Sequence, residues 1–235
     1  MRSFLLLLGA LTLAASAGAA ETPKPARTCR VLFLSPPDNA PKTLFLSDGT
    51  ATQEVELPSM NFSNVYALPP GNLTLRLLTS LPAKDQPLPA NAPAAALAEG
   101  VRDCYLLLAS DPANPVAPVR IQLIDANPDK FSKGQMLWFN LSPFPIGGQI
   151  GRQTLNLKAN SRAIAEPPAS GFEDYNVKIG YVPAEGKPAE MICSTVWHHD
   201  PAARGVIFVY MSPNSRAPRI KGFADSRPVE LTAQP

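Results

Sequence analysis

The chain has 235 residues, a net charge of +2, only 17% charged residues, 45% hydrophobic residues and 27 prolines. So little charge argues against a dedicated polyanion binder, nucleic acid included. The apolar content argues against wholesale disorder, and prolines, which cannot sit inside helices, argue against a helical fold.

Met1-Arg2-Ser3 supplies one positive charge, Phe4 to Ala15 an apolar run, and Ser16-Ala17-Gly18-Ala19-Ala20 a small-residue cleavage site before Glu21. This is the layout of a secretory signal peptide. The apolar run is shorter than the roughly 20 residues a membrane-spanning helix needs. Residues 1–20 are therefore expected to be removed. The mature chain is expected in the periplasm or outside the cell, with no transmembrane span. Residues 21–27 read as a flexible lead-in.

Strand signals follow at short intervals. Arg30 to Ser35 precedes the turn cluster Pro36-Pro37-Asp38-Asn39, and Thr43 to Ser47 runs into Asp48-Gly49, a tight-hairpin dipeptide. Thr52 to Leu57, Val65 to Leu68 and Leu73 to Leu77 continue the series, the last alternating with period two. Residues 82–98, rich in proline and alanine, read as a solvated loop, with one or two helical turns over Ala94 to Glu99 as the alternative. Val101 to Ala109 is again a strand.

Asp111-Pro-Ala-Asn-Pro115 has the composition of a linker. Beyond it, strand patterns restart at Val119 to Ile124 and recur at Gln135 to Leu141, Gln149 to Leu157, Ala163 to Ala165, Tyr175 to Val182, Glu190 to Trp197 and Val206 to Met211. Short strands with turn signals every few residues predict an all-β fold of sandwiches or a barrel. The expected organisation is two tandem immunoglobulin-like β-sandwiches, residues 28–110 and 117–228, with a flexible tail over 229–235. Echoes between the halves point to an internal repeat. Leu32-Phe33-Leu34-Ser35-Pro36 matches Trp138-Phe139-Asn140-Leu141-Ser142-Pro143, Thr43 to Leu46 matches Thr154 to Leu157, and Asn72 to Leu77 matches Tyr175 to Ile179.

Three cysteines in an oxidising compartment allow one bridge and leave one thiol over. Cys29 with Cys104 is the favoured pair, Cys104 with Cys193 the second, and three buried thiols the alternative.

No segment carries a catalytic motif, so no catalytic residue and no cofactor is assigned. The two histidines stand in Trp197-His198-His199-Asp200-Pro201. Imidazoles with a carboxylate are metal ligands, which makes His198, His199 and Asp200 the metal candidates. Neighbours on a strand point to opposite faces, however, so the two rings do not naturally converge. Cys193 is the least implausible nucleophile, but a strand cysteine usually packs. Glu54 with Glu56 and Glu173 with Asp174 are weak carboxylate pairs. Pro145 to Gly151 lacks the pattern of a nucleotide loop, and Arg204, Arg216, Arg219, Lys221 and Arg227 read as a solvated rim. Phe144, set between two prolines, is expected to be exposed, and with Trp197 it is the candidate for stacking on a glycan. Sequons occur at Asn61, Asn72 and Asn140.

Arg30-Val-Leu-Phe-Leu-Ser-Pro-Pro-Asp-Asn-Ala-Pro41 and Tyr66-Ala-Leu-Pro-Pro-Gly-Asn-Leu-Thr-Leu75 resemble repeats of exported bacterial immunoglobulin-like sandwich proteins of unassigned function. The resemblance covers about a fifth of the chain and carries over no catalytic residue. It implies a non-enzymatic binding or structural protein of the cell envelope whose partner is another envelope protein or a surface polymer. A glycan-binding module, and a metal-binding protein or enzyme built on His198-His199-Asp200, are the alternatives.

Overall fold

The computed structural model describes residues 27–83, 86–212 and 215–226. The expected signal peptide, the expected lead-in up to residue 26 and the expected tail over 229–235 lie outside these. Sixteen strands and no helix make up the described residues. The first half contributes β1 (Arg27–Phe33), β2 (Thr43–Ser47), β3 (Thr52–Glu56), β4 (Tyr66–Leu68), β5 (Leu73–Leu78), β6 (Ala94–Leu97), β7 (Asp103–Ser110) and β8 (Val119–Asp125). The second contributes β9 (Met136–Asn140), β10 (Ile146–Ile150), β11 (Gln153–Leu157), β12 (Ser161–Ala165), β13 (Asp174–Tyr181), β14 (Glu190–His198), β15 (Arg204–Tyr210) and β16 (Arg219–Asp225).

These form four sheets of four strands, ordered β3-β2-β5-β6, β4-β1-β7-β8, β12-β9-β15-β16 and β11-β10-β13-β14. Adding eight to every strand number of the first two orders gives the other two, so both halves share one topology, each with a parallel pair, β1–β7 or β9–β15. The layers stack in the sequence outer, inner, inner, outer, and the side chains show why. On β1, Cys29, Val31 and Phe33 enter the core beneath the first outer sheet, while Leu32 packs into a core between the two inner sheets. On β9, Leu137 and Phe139 join that central core, and Met136 and Trp138 face the second outer sheet. Strands buried on both faces read as continuous apolar runs, whereas the outer strand β13 alternates buried with solvent-facing residues.

The central core holds an ionic cluster. Arg204 Nη2 lies 2.7 Å from Asp103 Oδ2, and its Nε donates to Asp225 Oδ2 at 3.1 Å. Asp225 also accepts from the guanidinium of Arg30 and, at 2.6 Å, from the hydroxyl of Tyr105. Two arginines against two aspartates leave no net charge, and Arg204 further donates to the Ala126 carbonyl at 2.7 Å. Buried ions need such complete pairing to offset their desolvation.

Several expectations are corrected. Asp111–Pro115 joins no halves: it lies in the turn between β7 and β8, and β8 completes the first inner sheet. The chain instead passes between halves over residues 126–135, where Phe131 is buried in the central core. Arg27 is no lead-in residue. It opens β1, buried, with its guanidinium bonded to the carbonyls of Val101, Ala98, Pro69 and Gly71. Ala94–Leu97 is neither loop nor helix but a strand, because β5 offers it a pairing edge. Gln149 to Leu157 divides into two strands around Gly151, whose positive φ makes the turn. Cys29 and Cys104 are direct partners in the parallel β1–β7 pair, both buried. No disulfide joins them; Cys104 Sγ lies 3.8 Å from the Thr28 carbonyl.

Candidate functional site

A cleft of about 640 Å³ opens on the side of the second half where the edge strands β14 and β16 part. Its walls include Tyr175, Cys193 and Trp197 from the outer sheet, and Met136, Ile207, Ile220 and Gly222 from the inner sheet.

The shared topology explains why the cleft exists. Aligning the halves on Leu34-Ser35-Pro36 and Leu141-Ser142-Pro143 makes Val31 equivalent to Trp138, and their strand partners Leu106 and Ile207 equivalent in turn. Across the next pairing, Leu106 meets Leu123 while Ile207 meets Gly222. Likewise, Cys104 meets Asp125 while Gly205 meets Ala224. Where the first half closes its core with the side chain of Leu123, the second has only a glycine. Gly222 is not forced by crowding, since a β-carbon there would meet Ile207 at an ordinary 3.8 Å.

The histidines separate as strand alternation requires. His198 faces solvent, its Nδ1 2.9 Å from Asp174 Oδ1 and its ring stacked on Phe172. His199 turns inward and is buried, its amide bonded to the Glu173 carbonyl at 2.8 Å and its Nε2 without a hydrogen-bonding protein partner. Asp200 makes a local turn, accepting from the Ala202 amide at 2.8 Å. Among the described residues no group of three or more histidine, cysteine or acidic side chains is placed to hold a metal. Burial raises the Cys193 thiol above its ordinary value, which keeps it protonated and a poor nucleophile. Burial likewise pushes the Tyr175 hydroxyl up to about 12, and its O–H reaches only the sulfur of Met136, at 3.5 Å.

The aromatic candidates are not brought together. Trp197 lines the cleft, but one face is stacked on Trp138 (centroids 5.9 Å apart, 12° between planes), and Tyr175 meets it edge-on. Phe144 is not the exposed ring expected. It packs against Tyr181 at 5.2 Å on the core beneath the second outer sheet. The exposed aromatic is Phe172, 67% accessible, which the sequence reading passed over. Arg204 likewise leaves the expected basic rim for the buried cluster, and Asn140, in the third sequon, is buried and donates to the carbonyls of Phe144 and Lys158.

The β14 edge itself was overlooked. It runs nine residues, pairs only with β13, and contains neither lysine nor proline. Met191 is 63% and Val196 55% exposed. Thr195 sits opposite Val177, on the core-facing side of the sheet, yet it is exposed, because the sandwich gapes there. The corresponding edge of the first half, β6, has four residues.

Comparison with protein-family models finds no match, and comparison with curated proteins finds none.

Proposed function

We propose that this is an exported, non-enzymatic protein of two immunoglobulin-like sandwiches, a binding or structural component of the cell envelope. Its contact surface is the open side of the second half, formed by the β14 edge and the cleft beside it. The observation that carries this reading is the long edge without lysine or proline, because natural sheets blunt exposed edges with lysine, proline or a covering segment unless the edge is used. The stacked inner sheets and their paired ions make a rigid body from which that edge is presented.

Export is tested by N-terminal sequencing of protein recovered outside the cytoplasm. Cleavage after Ala20 leaves residues 21–26 ahead of β1, and an intact Met1 on the mature protein contradicts it. The contact surface is tested by photo-crosslinking in cells. A reactive side chain at Val196 on β14 is expected to give adducts, and one at the exposed Gln122 on β8 is not. Adducts from Gln122 alone, or from neither, overturn the assignment. Among the described residues Phe172 is the one exposed phenylalanine, tyrosine or tryptophan, and its ring is stacked with His198, so aromatic geometry does not favour the glycan reading.

A further inference from the structure

We propose that the segment after β16 folds back onto β14, residues 229–233 adding to it as an antiparallel strand whose Val229, Leu231 and Ala233 enter the cleft. The inference rests on the reading that the β14 edge is the contact surface. It gives that surface an occupant within the chain, which a partner strand must displace.

The segment has the pattern of a strand that is apolar on one face. Val229-Glu230-Leu231-Thr232-Ala233-Gln234 alternates with period two and lies between Pro228 and Pro235. Alternation of this kind suits an outer strand with one face buried and one in water.

The chain leaves β16 beside the open edge. Trp197 pairs with Tyr175, whose hydroxyl reaches Met136; Met136 pairs with Gly205, and Gly205 with Ala224. Trp197 of the outer sheet and Ala224 of the inner one thus stand at one level, and both line the cleft. β16 ends one residue further on, at Asp225. Stacked sheets lie about 10 Å apart, and the chain from Asp225 through Ser226, Arg227 and Pro228 to Val229 reaches about 13 Å. Because β14 and β16 end at the same level, a segment that crosses there and turns back runs antiparallel to β14.

That crossing sets the register. With Val229 opposite Trp197, Leu231 stands opposite Thr195 and Ala233 opposite Cys193. Trp197 and Cys193 pack against the core beneath the outer sheet, and Thr195 alternates with them on that face. Glu230 and Thr232 face solvent, opposite Val196 and Ser194. The β13–β14 register shifts only beyond Cys193, so the five residues used lie in the regular stretch of β14. Thr195 is exposed in spite of its core-facing position, and across the cleft Gly222 and Ala224 are exposed as well. Leu231 brings to that gap the branched side chain that Leu123 supplies in the first half. Strand addition draws its affinity from backbone hydrogen bonds and its register from such alternate side chains. Met191, exposed beyond the added strand, leaves a partner strand a place to begin.

The test is hydrogen exchange of β14 in the whole protein and in a chain ending at Ser226. The residues of all three cores precede Ser226, so the shortened chain retains the fold. The β14 amides that point away from β13 are expected to exchange several-fold faster without the segment, and equal rates overturn the proposal. In the whole protein, Leu231→Asp is expected to give the same acceleration and Glu230→Ala, on the solvent side, is not. An unchanged rate in Leu231→Asp also overturns it. Iodide quenching gives a second reading, because Trp138 is fully buried and Trp197, the other of two tryptophans, borders the cleft. Quenching is expected to rise in Leu231→Asp, and quenching equal to that of the unsubstituted protein contradicts the seat of Val229 on Trp197.

Protection of β14 that grows with protein concentration overturns the same chain as occupant. Val196 photo-adducts with an envelope protein, combined with β14 exchange indifferent to the segment, sink the segment and leave the contact surface standing. A β14 protected by the segment that gives no adducts even in the chain ending at Ser226 keeps the segment in place and sinks the contact surface.

Discussion

Asp103 and Arg204 hold the same place in their two halves, each the first residue of the seventh strand, and they bond to one another at 2.7 Å. One topological position thus carries opposite charges in the two copies of the unit, and the inner sheets meet through that pair. Asp225, fully buried, takes the second arm of Arg204 together with Arg30. Removing the guanidinium would take one cation away from two buried carboxylates. Arg204→Ala is therefore expected to cost about 3–5 kcal/mol, the usual penalty for breaking a buried pair from one side. Urea denaturation measures it, and a loss below about 1 kcal/mol would mean that the cluster does not bind the halves together.

Stability should also depend on alkaline pH. The Tyr105 hydroxyl is raised far above its ordinary value by burial and by the Asp225 carboxylate it donates to, and Tyr175 is raised to about 12 by burial. Groups raised on folding leave stability intact below their unfolded value, near 10 for tyrosine, and withdraw it as pH rises beyond that. Thermal midpoints are expected to show no tyrosine-dependent fall below pH about 10 and to drop above it. Tyr105→Phe should flatten part of that drop, at some cost in stability near neutrality. An equally steep drop in that variant would place the alkaline sensitivity elsewhere.

Two glycines of the second half should behave oppositely. A β-carbon at Gly148 would fall 1.9 Å from the Lys178 carbonyl oxygen, across the β10–β13 pairing. Gly148→Ala is expected to destabilise by at least about 2 kcal/mol through forced separation of those strands. At Gly222 there is room, and alanine removes the entropy cost of a strand glycine, so Gly222→Ala should be neutral or stabilising by up to about 1 kcal/mol. Denaturation midpoints of the two variants decide this, and equal losses would contradict the cleft's open geometry.

Much of the all-β character was legible because turn chemistry and period-two patterns are local. The Asp48-Gly49 hairpin lies where expected, between β2 and β3, and Glu54 and Glu56 flank the buried Val55. What failed was non-local. Asp111–Pro115 has the composition of a linker and of a hairpin turn alike, and only the pairing of β7 with β8 distinguishes them. The repeat was visible at β1 with β9 and at β5 with β13. Thr43–Leu46, however, corresponds to β10 rather than to Thr154–Leu157, and Gly147-Gly148 in β10 removes the side chains that would have shown it. The apolar runs of β1, β7, β9 and β15 were read as strands, but their lack of alternation also marks sheets buried on both faces. The edge β14 could have been flagged from its length and its want of lysine and proline. The cleft could not, because it depends on a glycine facing isoleucine across a strand pair.

The most direct test of the β14 edge as contact surface is hydrogen exchange of its amides, Glu190 to His198, in the chain ending at Ser226 with and without envelope extract. Outward-facing amides of β14 are predicted to slow as a partner strand adds, while those of the opposite edge strand β3 stay unchanged. Exchange in β14 that does not respond to extract would contradict the account.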